Sequence, residues 1–307
     1  MGAPNPAPEG VRLAWLRTRG GVRLRAACWP GRMPVATIVL LQGRTECIEK
    51  YYETIAELQT RGYAVVTFDW RGQGLSGRAL PNRHKGHIRD FAEYHDDMDC
   101  VLEKFVMNSP DLPEPYILVA HSMGAHIAVR YLHNRPQAFA RAVLCSPMAY
   151  INTAPLPNFM ARAIASAGTA LGLAESYIPG GKNYSRAGEP FEGNRLTGDP
   201  ARFERNADIL RDSPDLALGS PTLGWLDAAF RSMEIIMEPE FGAAVTTPAL
   251  LAYGDGEQVS LPEHQARLAS QLGRCRAICI TGARHEILQE TDLVRDQFWA
   301  AFGRFNR

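Results

Sequence analysis

Residues 116–132 have the sequence YILVAHSMGAHIAVRYL, an apolar strand that runs directly into a serine and then into an amphipathic helix. Small residues flank Ser122, with Ala120 before it and Gly124 after it. A sharp turn from strand to helix leaves a serine hydroxyl exposed above the sheet, and only small side chains fit beside such a turn. The pattern predicts a nucleophile at Ser122. A serine that only caps the helix is the alternative, and the strand before it disfavours that interpretation.

Short apolar runs and amphipathic segments alternate on both sides of this stretch. The runs are VATIVLLQ (35–42), YAVVTFDW (63–70), ARAVLCS (140–146), PALLAYG (248–254) and RAICITG (276–282). Continuous apolar strands separated by helices indicate a parallel sheet covered on both faces, which is the doubly wound α/β class. Residues 11–29 alternate apolar and polar side chains around Gly20 and Gly21, which predicts an added hairpin. A helix near 90–108 should begin at a capping box formed by Asp90 and Glu93.

The alternation breaks over about a hundred residues that contain Pro155, Pro157 and the pair Gly180-Gly181. We therefore predict an inserted cap over residues 147–245. The core should consist of residues 11–146 and 246–307, preceded by a loose leader over residues 1–10.

Composition excludes several classes of function. The 307 residues carry 33 basic and 33 acidic side chains, so no global field attracts nucleic acid or an anionic surface. The longest apolar run, Val35–Leu41, is far shorter than the roughly 20 residues that a membrane-spanning helix needs. Six cysteines without CxxC pairs are typical of reduced thiols. We expect a cytoplasmic protein that binds no nucleic acid. Membrane contact should be at most peripheral, at the inner face and through the cap.

A nucleophilic serine needs a base, which in this arrangement lies late in the chain. His285 follows the last apolar run and is the predicted base. A carboxylate should follow the run that ends at Gly254, to orient the imidazole. Asp255 and Glu257 both satisfy this requirement, and their spacing does not choose between them.

Two main-chain N–H groups should bind the oxyanion of the reaction. One comes from the residue after the nucleophile, Met123, and the other from Arg44, where Gly43 lets the chain turn. The segment from Gly72 to Gly77 matches GxGxxG, but no helix follows it to bind a pyrophosphate. The sequence therefore disfavours a dinucleotide site at this segment. No metal site is predicted either, because the acidic and histidine residues between 84 and 97 match no compact ligand motif.

Five segments together resemble a known family. They are QGRTECIEKYYE (42–53), FDWRGQGLSGR (68–78), HKGHIRDFAEYHDDM (84–98), VAHSMGAHIAVRYL (119–132) and GARHEIL (282–288). The chain resembles bacterial lysophospholipases of the monoacylglycerol lipase-like branch of the α/β-hydrolases. This resemblance implies a mostly parallel eight-stranded sheet, a helical cap after the sixth strand, and no cofactor.

The resemblance also assigns roles to residues. It implies a nucleophile at Ser122, a base at His285, and oxyanion donors at Arg44 and Met123. Members of the family carry Gly-x-x-Asp-x-Val at the position of the acid, and residues 254–259 place Glu257 where that aspartate stands. Glu257 is thus the implied acid, with Asp255 as the alternative.

The expected function is hydrolysis of carboxylic esters through an acyl-enzyme on Ser122. Lysophospholipids or monoacylglycerols are the expected substrates. A small-ester hydrolase or peptidase on the same scaffold, or a ligand-binding protein without turnover, are the alternatives. Apolar side chains of the cap, including Phe159, Trp225 and Phe230, are expected to line an acyl pocket, although about half of the cap's apolar residues should only pack it onto the core. The sequence gives no oligomeric state.

Overall fold

A computed structural model describes residues 5–185 and 190–307. Eight strands form one sheet in the order β1-β2-β4-β3-β5-β6-β7-β8. The strands are β1 (Arg12–Arg17), β2 (Arg23–Trp29), β3 (Ala36–Leu41), β4 (Tyr63–Phe68), β5 (Tyr116–His121), β6 (Arg141–Cys145), β7 (Ala249–Gly254) and β8 (Cys275–Ile280). The β1 and β2 hairpin is antiparallel, and all strands from β4 to β8 pair in parallel. The mostly parallel sheet and the hairpin are therefore confirmed.

Helices connect these strands. They are α1 (Tyr52–Thr60), α2 (Glu93–Val101), α3 (Met123–Asn134), α4 (Asn158–Ala170), α5 (Pro200–Asp212), α6 (Leu223–Ile236), α7 (Pro239–Ala243), α8 (Pro262–Gln271) and α9 (Asp292–Phe305). Helix α2 begins three residues later than its capping box predicts. Asp90 accepts a hydrogen bond from the N–H of Ala92 at 2.7 Å, so a turn precedes the helix.

Central strands bury both of their faces. In β3, Val39 and Leu41 belong to an apolar cluster with residues of α2, α3 and α8. Ile38 and Leu40 of the same strand belong to a second cluster with residues of α1 and α9. Burying each such side chain stabilises the fold by about 1.5–3 kcal/mol. The sheet is thus the middle layer between two helical layers, as the α/β-hydrolase fold requires.

The segment between β6 and β7 contains α4, α5, α6 and α7. Helix α4 packs closely against α6, because a Cβ at Gly168 would lie 2.7 Å from Leu223. The buried residues of α4 are all small, namely Ala161, Ala165 and Gly168. The predicted boundaries of the cap and the core stay predictions.

Residues 1–4 of the predicted leader lie outside the described residues. The rest of the leader contacts the core. Asn5 donates to the carbonyl of Glu49, and the Trp29 indole donates to the carbonyl of Pro8. Across residues 5–185 and 190–307, no helix is both long and apolar enough to cross a bilayer.

One half-buried carboxylate connects α5 to α1 and α9. Glu53 of α1 accepts hydrogen bonds from Arg202 at 2.5 Å and Arg205 at 2.6 Å, both on α5, and from Arg295 of α9 at 3.3 Å. Burial by itself raises the pKa of Glu53, but the three guanidinium groups outweigh it and lower this pKa to about 2. Glu53 therefore stays ionised and ties three helices together.

The structure predicts that Glu53 makes stability depend on acidity. A carboxyl group with a lowered pKa stabilises the fold above its ordinary value of 4.5, and this contribution disappears as the pH falls towards 2. Glu53→Gln should lower the free energy of unfolding by about 2 kcal/mol at neutral pH. Urea denaturation at pH 7 and pH 3 should show the difference from wild type shrinking in acid. Glu204→Gln is the control. Glu204 is half-exposed on α5, where it pairs with Arg211 of the same helix. An equal loss at both pH values would contradict the assignment.

Candidate active site

Ser122 lies in a strained turn between β5 and α3. Its backbone angles are φ 50 and ψ −115, a left-handed region that costs a non-glycine residue roughly 1–3 kcal/mol. The turn is held by hydrogen bonds from the N–H of Ser122 to the carbonyl of Cys145 and from the N–H of His126 to the carbonyl of Ser122. A Cβ at Gly124 would lie 2.5 Å from the carbonyl oxygen of Gln42, so only glycine fits there.

Three buried side chains form a continuous hydrogen-bonded chain. The Nε2 atom of His285 lies 2.9 Å from the Oγ of Ser122, and its Nδ1 atom lies 2.6 Å from Oε2 of Glu257. Asp255 is exposed and accepts a hydrogen bond from the N–H of Gly282 at 2.7 Å. The geometry therefore favours Glu257 over Asp255 as the partner of the imidazole.

The loop after β7 accommodates the longer glutamate side chain. Oε1 of Glu257 accepts hydrogen bonds from the N–H groups of Val259 at 2.6 Å and Ser260 at 3.2 Å. Burial alone raises the pKa of Glu257, but His285 and these two N–H groups lower it to about 2. A Cβ at Gly254 would lie 2.1 Å from the carbonyl oxygen of Ala283, so the loops after β7 and β8 are in close contact.

Two main-chain N–H groups remain available beside Ser122. Among the described residues, neither the N–H of Arg44 nor that of Met123 has a hydrogen-bond acceptor in the protein. Arg44 follows the end of β3, and Met123 is the first residue of α3. A pair of such donors can bind the negative oxygen that forms during acyl transfer.

A buried carboxylate that the sequence did not reveal supports this loop. Glu46 accepts hydrogen bonds from the N–H of Gly43, from the hydroxyl of Tyr51 at 2.6 Å and from Lys50 at 2.9 Å. Lys50 also contacts Glu286 at 2.6 Å. Burial opposes the charge of Glu46, but Lys50 and His121 hold its pKa well below the ordinary range. No signal beyond a glutamate in the QGRTE segment could have indicated this role.

His121 connects Glu46 to the histidine of the site. Its Nδ1 lies 3.2 Å from Oε2 of Glu46, and its Nε2 lies 3.1 Å from the carbonyl oxygen of His285. Both partners are acceptors, so only the doubly protonated ring can donate to both of them. Burial favours the neutral ring, but the charge of Glu46 outweighs it and raises the pKa of His121.

The three residues predicted to bind the substrate are not brought together. Trp225 and Phe230 are buried on α6, where the Trp225 ring contacts Phe91. Phe159 is 74% exposed. A cavity of about 410 Å³ lies instead along the loop of residues 44–47 and α5, and none of the three lines it. Their role in substrate binding stays a prediction.

The glycine-rich segment from Gly72 to Gly77 wraps around a carboxylate. Asp69 accepts a hydrogen bond from the N–H of Leu75 at 2.8 Å, and a Cβ at Gly74 would collide with the Asp69 side chain. The glycines therefore allow the loop to close over Asp69. In the described part of the chain, no group of three or more His, Cys, Asp or Glu side chains could hold a metal ion.

Comparison with known proteins places this fold and geometry in a family. Residues 32–292 match the family described as serine aminopeptidase, S33. The lysophospholipase L2 of Escherichia coli K12 is 33% identical over 84% of this chain and 76% of its own length. The monoacylglycerol lipase of Mycolicibacterium smegmatis is 25% identical over 81% of this chain and 80% of its own. The monoglyceride lipase structure from Saccharomyces cerevisiae, at 17% identity, covers 98% of both chains with a TM-score of 0.74, and supports the fold.

The chain belongs to this serine hydrolase family of α/β-hydrolases, in the branch that contains the lysophospholipase and monoacylglycerol lipase relatives. It is an enzyme that hydrolyses esters.

Two substitutions test which acid orients His285. Glu257→Gln should lower kcat by about 10⁴-fold, because a neutral amide neither fixes the tautomer nor stabilises the imidazolium. Asp255→Asn should stay close to wild type, since that carboxylate accepts from Gly282 at the surface. Steady-state kinetics on a soluble ester, with thermal midpoints for folding, provide the comparison. A larger loss for Asp255→Asn would move the acid to that residue.

Proposed function

We propose that Ser122, His285 and Glu257 are the catalytic residues of this ester hydrolase and that it acts on glycerol lipids with one acyl chain. The observation that carries the proposal is the hydrogen-bonded chain from Ser122 through His285 to Glu257. It has the geometry in which a serine is activated by a base that a carboxylate orients.

The reaction follows from the positions of the atoms. Oγ of Ser122 attacks the ester carbonyl carbon while Nε2 of His285 accepts its proton, and the N–H groups of Arg44 and Met123 bind the oxyanion. The tetrahedral intermediate then expels the alcohol, which takes the proton from His285. Water, deprotonated by the same nitrogen, attacks the acyl-enzyme and releases the fatty acid and Ser122.

Names of relatives support a lipid substrate. Lysophospholipase L2 and monoacylglycerol lipase both name esters with one acyl chain on a polar alcohol. The cavity borders Arg44 but neither Ser122 nor His285, and its apolar side has the character that an acyl chain needs, because Leu196, Phe203, Leu210 and Leu218 line it. The family description names a peptidase, so an aminopeptidase substrate belongs in the screen.

An exposed apolar surface on α4 and the turn that follows it, called the α4 surface below, supports action at a lipid surface. It consists of Phe159, Met160, Ile164, Leu171 and Leu173, each between 39% and 77% exposed. The only charged residue of the helix, Arg162, pairs with Glu234. Contiguous exposed apolar side chains are a feature of lipid and protein contact sites. We propose that residues 147–245 form a cap that rests through this α4 surface on the lipid aggregate that holds the substrate.

Loss of the nucleophile tests the catalytic assignment. Ser122→Ala should lower kcat by several orders of magnitude while the thermal midpoint stays near that of wild type, and His285→Ala should cost about as much. A fluorophosphonate probe should label wild type and not Ser122→Ala. The screen should include lysophospholipids, monoacylglycerols, short esters and an aminopeptidase substrate. Retention of most esterase activity in Ser122→Ala would refute the assignment, and turnover confined to short esters would refute the lipid substrate.

Changes to the α4 surface test the lipid contact. Phe159→Ser combined with Leu171→Ser should reduce vesicle binding roughly tenfold, since each buried apolar side chain contributes about 1 kcal/mol or more. The rate on micellar substrate should fall more than the rate on a monomeric ester. Leu293→Ser is the matched control, because Leu293 is 79% exposed on α9. An equal effect of the control would show that the α4 surface has no special role.

A further inference from the structure

The side chain of Arg44 is half-buried and has no acidic partner among the described residues. Its guanidinium group donates to the carbonyl of Gly219 at 2.7 Å and lies 5.2 Å from the Trp225 ring. The Nε atom is buried and has no hydrogen-bond acceptor. Within residues 5–185 and 190–307, Arg44 forms no ion pair. Burial lowers its pKa to about 10, against small opposing effects of Tyr94 and Tyr177, so it is still a cation at neutral pH.

A buried cation without a counterion is costly, and buried polar groups are normally paired. Other partly buried arginines have partners for their donors, such as carboxylates or, for Arg78, three main-chain carbonyls. Arg25 is bound by Glu49 and Asp69, and Arg71 by Glu93 and Asp97. Arg44 departs from the pattern at the site where a ligand is expected.

The cavity of about 410 Å³ shows where an anion would lie. Arg44 lines it, together with Lys182, which also forms no ion pair in the described part of the chain. The acidic residues of the lining are Glu46 and Glu286, and Lys50 bridges both of them at 2.9 and 2.6 Å. Arg44, Lys50 and Lys182 together exceed these two carboxylates by one positive charge, so the cavity is attractive to an anion.

We propose that the Arg44 guanidinium binds the phosphate of a lysophospholipid whose acyl ester is held at Ser122. This inference rests on the proposed function and deepens it, because it selects lysophospholipids over monoacylglycerols. The main-chain N–H of Arg44 binds the oxyanion, and its side chain reaches the phosphate. In the lipid, only the glycerol backbone separates the acyl ester from the phosphate. The length of that backbone is comparable with the length of an arginine side chain. Guanidinium groups suit phosphate oxygens because their N–H donors match them in pairs.

The test compares two substrates with the same acyl chain, decanoyl lysophosphatidylglycerol and monodecanoylglycerol, kept monomeric. Arg44→Gln should lower kcat/KM for the phosphate-containing lipid roughly tenfold to a hundredfold more than for the other, as expected for a hydrogen bond to a charged group. A disturbance of the loop that carries Arg44 would change kcat/KM for both substrates alike, so it would cancel in the ratio of the two kcat/KM values. Arg135→Gln is the control, since Arg135 is exposed and pairs with Asp99 at the end of α3.

A second measurement needs no variant. Glycerol phosphate should inhibit hydrolysis of nitrophenyl butyrate by wild type competitively, and glycerol at the same concentration should not. Inorganic phosphate should inhibit more weakly than glycerol phosphate, because it lacks the glycerol that places the phosphate.

The outcomes separate the two proposals. The role of Arg44 would be overturned if folded Arg44→Gln kept the wild-type ratio of the two kcat/KM values. Equal inhibition by glycerol and glycerol phosphate would overturn it as well. Neither result would contradict the proposed hydrolysis of lipids. Inorganic phosphate as strong as glycerol phosphate would mean a site for the free anion and would also overturn the role of Arg44. If wild type cleaves neither lipid but cleaves nitrophenyl butyrate, the proposed lipid substrate itself fails.

Discussion

The start of α3 lies so close to the end of β3 that glycine is the only residue that fits at position 124. This approach brings the turn that carries Ser122 next to the loop that carries Arg44. Because the two segments touch, the hydroxyl of Ser122 and the two free N–H groups lie on one side of the sheet edge. The strain at Ser122 is maintained by hydrogen bonds to β6 and α3, so the surrounding sheet stabilises a conformation that an isolated turn would avoid.

A network of buried charged side chains also holds the same two segments together. Glu46 binds the oxyanion loop through Gly43, and His121 connects it to the main chain of His285. Removing charges from water is expensive, and a buried network of this kind need not stabilise a protein more than apolar residues would. Its effect is positional, since the loop that carries Arg44 and the main chain of His285 share one hydrogen-bonded framework. Lys50 extends this framework to Glu286, the residue after His285.

Local patterns in the sequence predicted the order of strands along the chain and the parallel sheet. They could do so because buried strands and amphipathic helices differ in the spacing of their apolar residues. They also singled out Ser122 and His285, which the structure brings within 2.9 Å of each other. Spacing alone could not separate Asp255 from Glu257, because that choice depends on the course of two loops in contact, and only the family resemblance favoured Glu257. The late start of α2 and the positions of Trp225 and Phe159 depend equally on tertiary packing. The role of Glu46 could not be predicted from the sequence. One of its four hydrogen-bond partners, His121, is distant in the chain, and the other three are neighbours that form no recognisable motif.

The segment between β6 and β7 contains two different kinds of contact. Helix α5 is held to α1 and α9 by the carboxylate of Glu53 and its three arginines, whereas α4 packs on α6 of the same segment through alanine, glycine and leucine. The first attachment weakens with protonation and high ionic strength, and the second weakens with detergents and chaotropes. Changes in the solvent therefore act on these two contacts of the segment independently. High salt would weaken the contact of α5 with Glu53 while α4 stays packed on α6, and detergent would loosen α4 from α6 while α5 stays bound to Glu53.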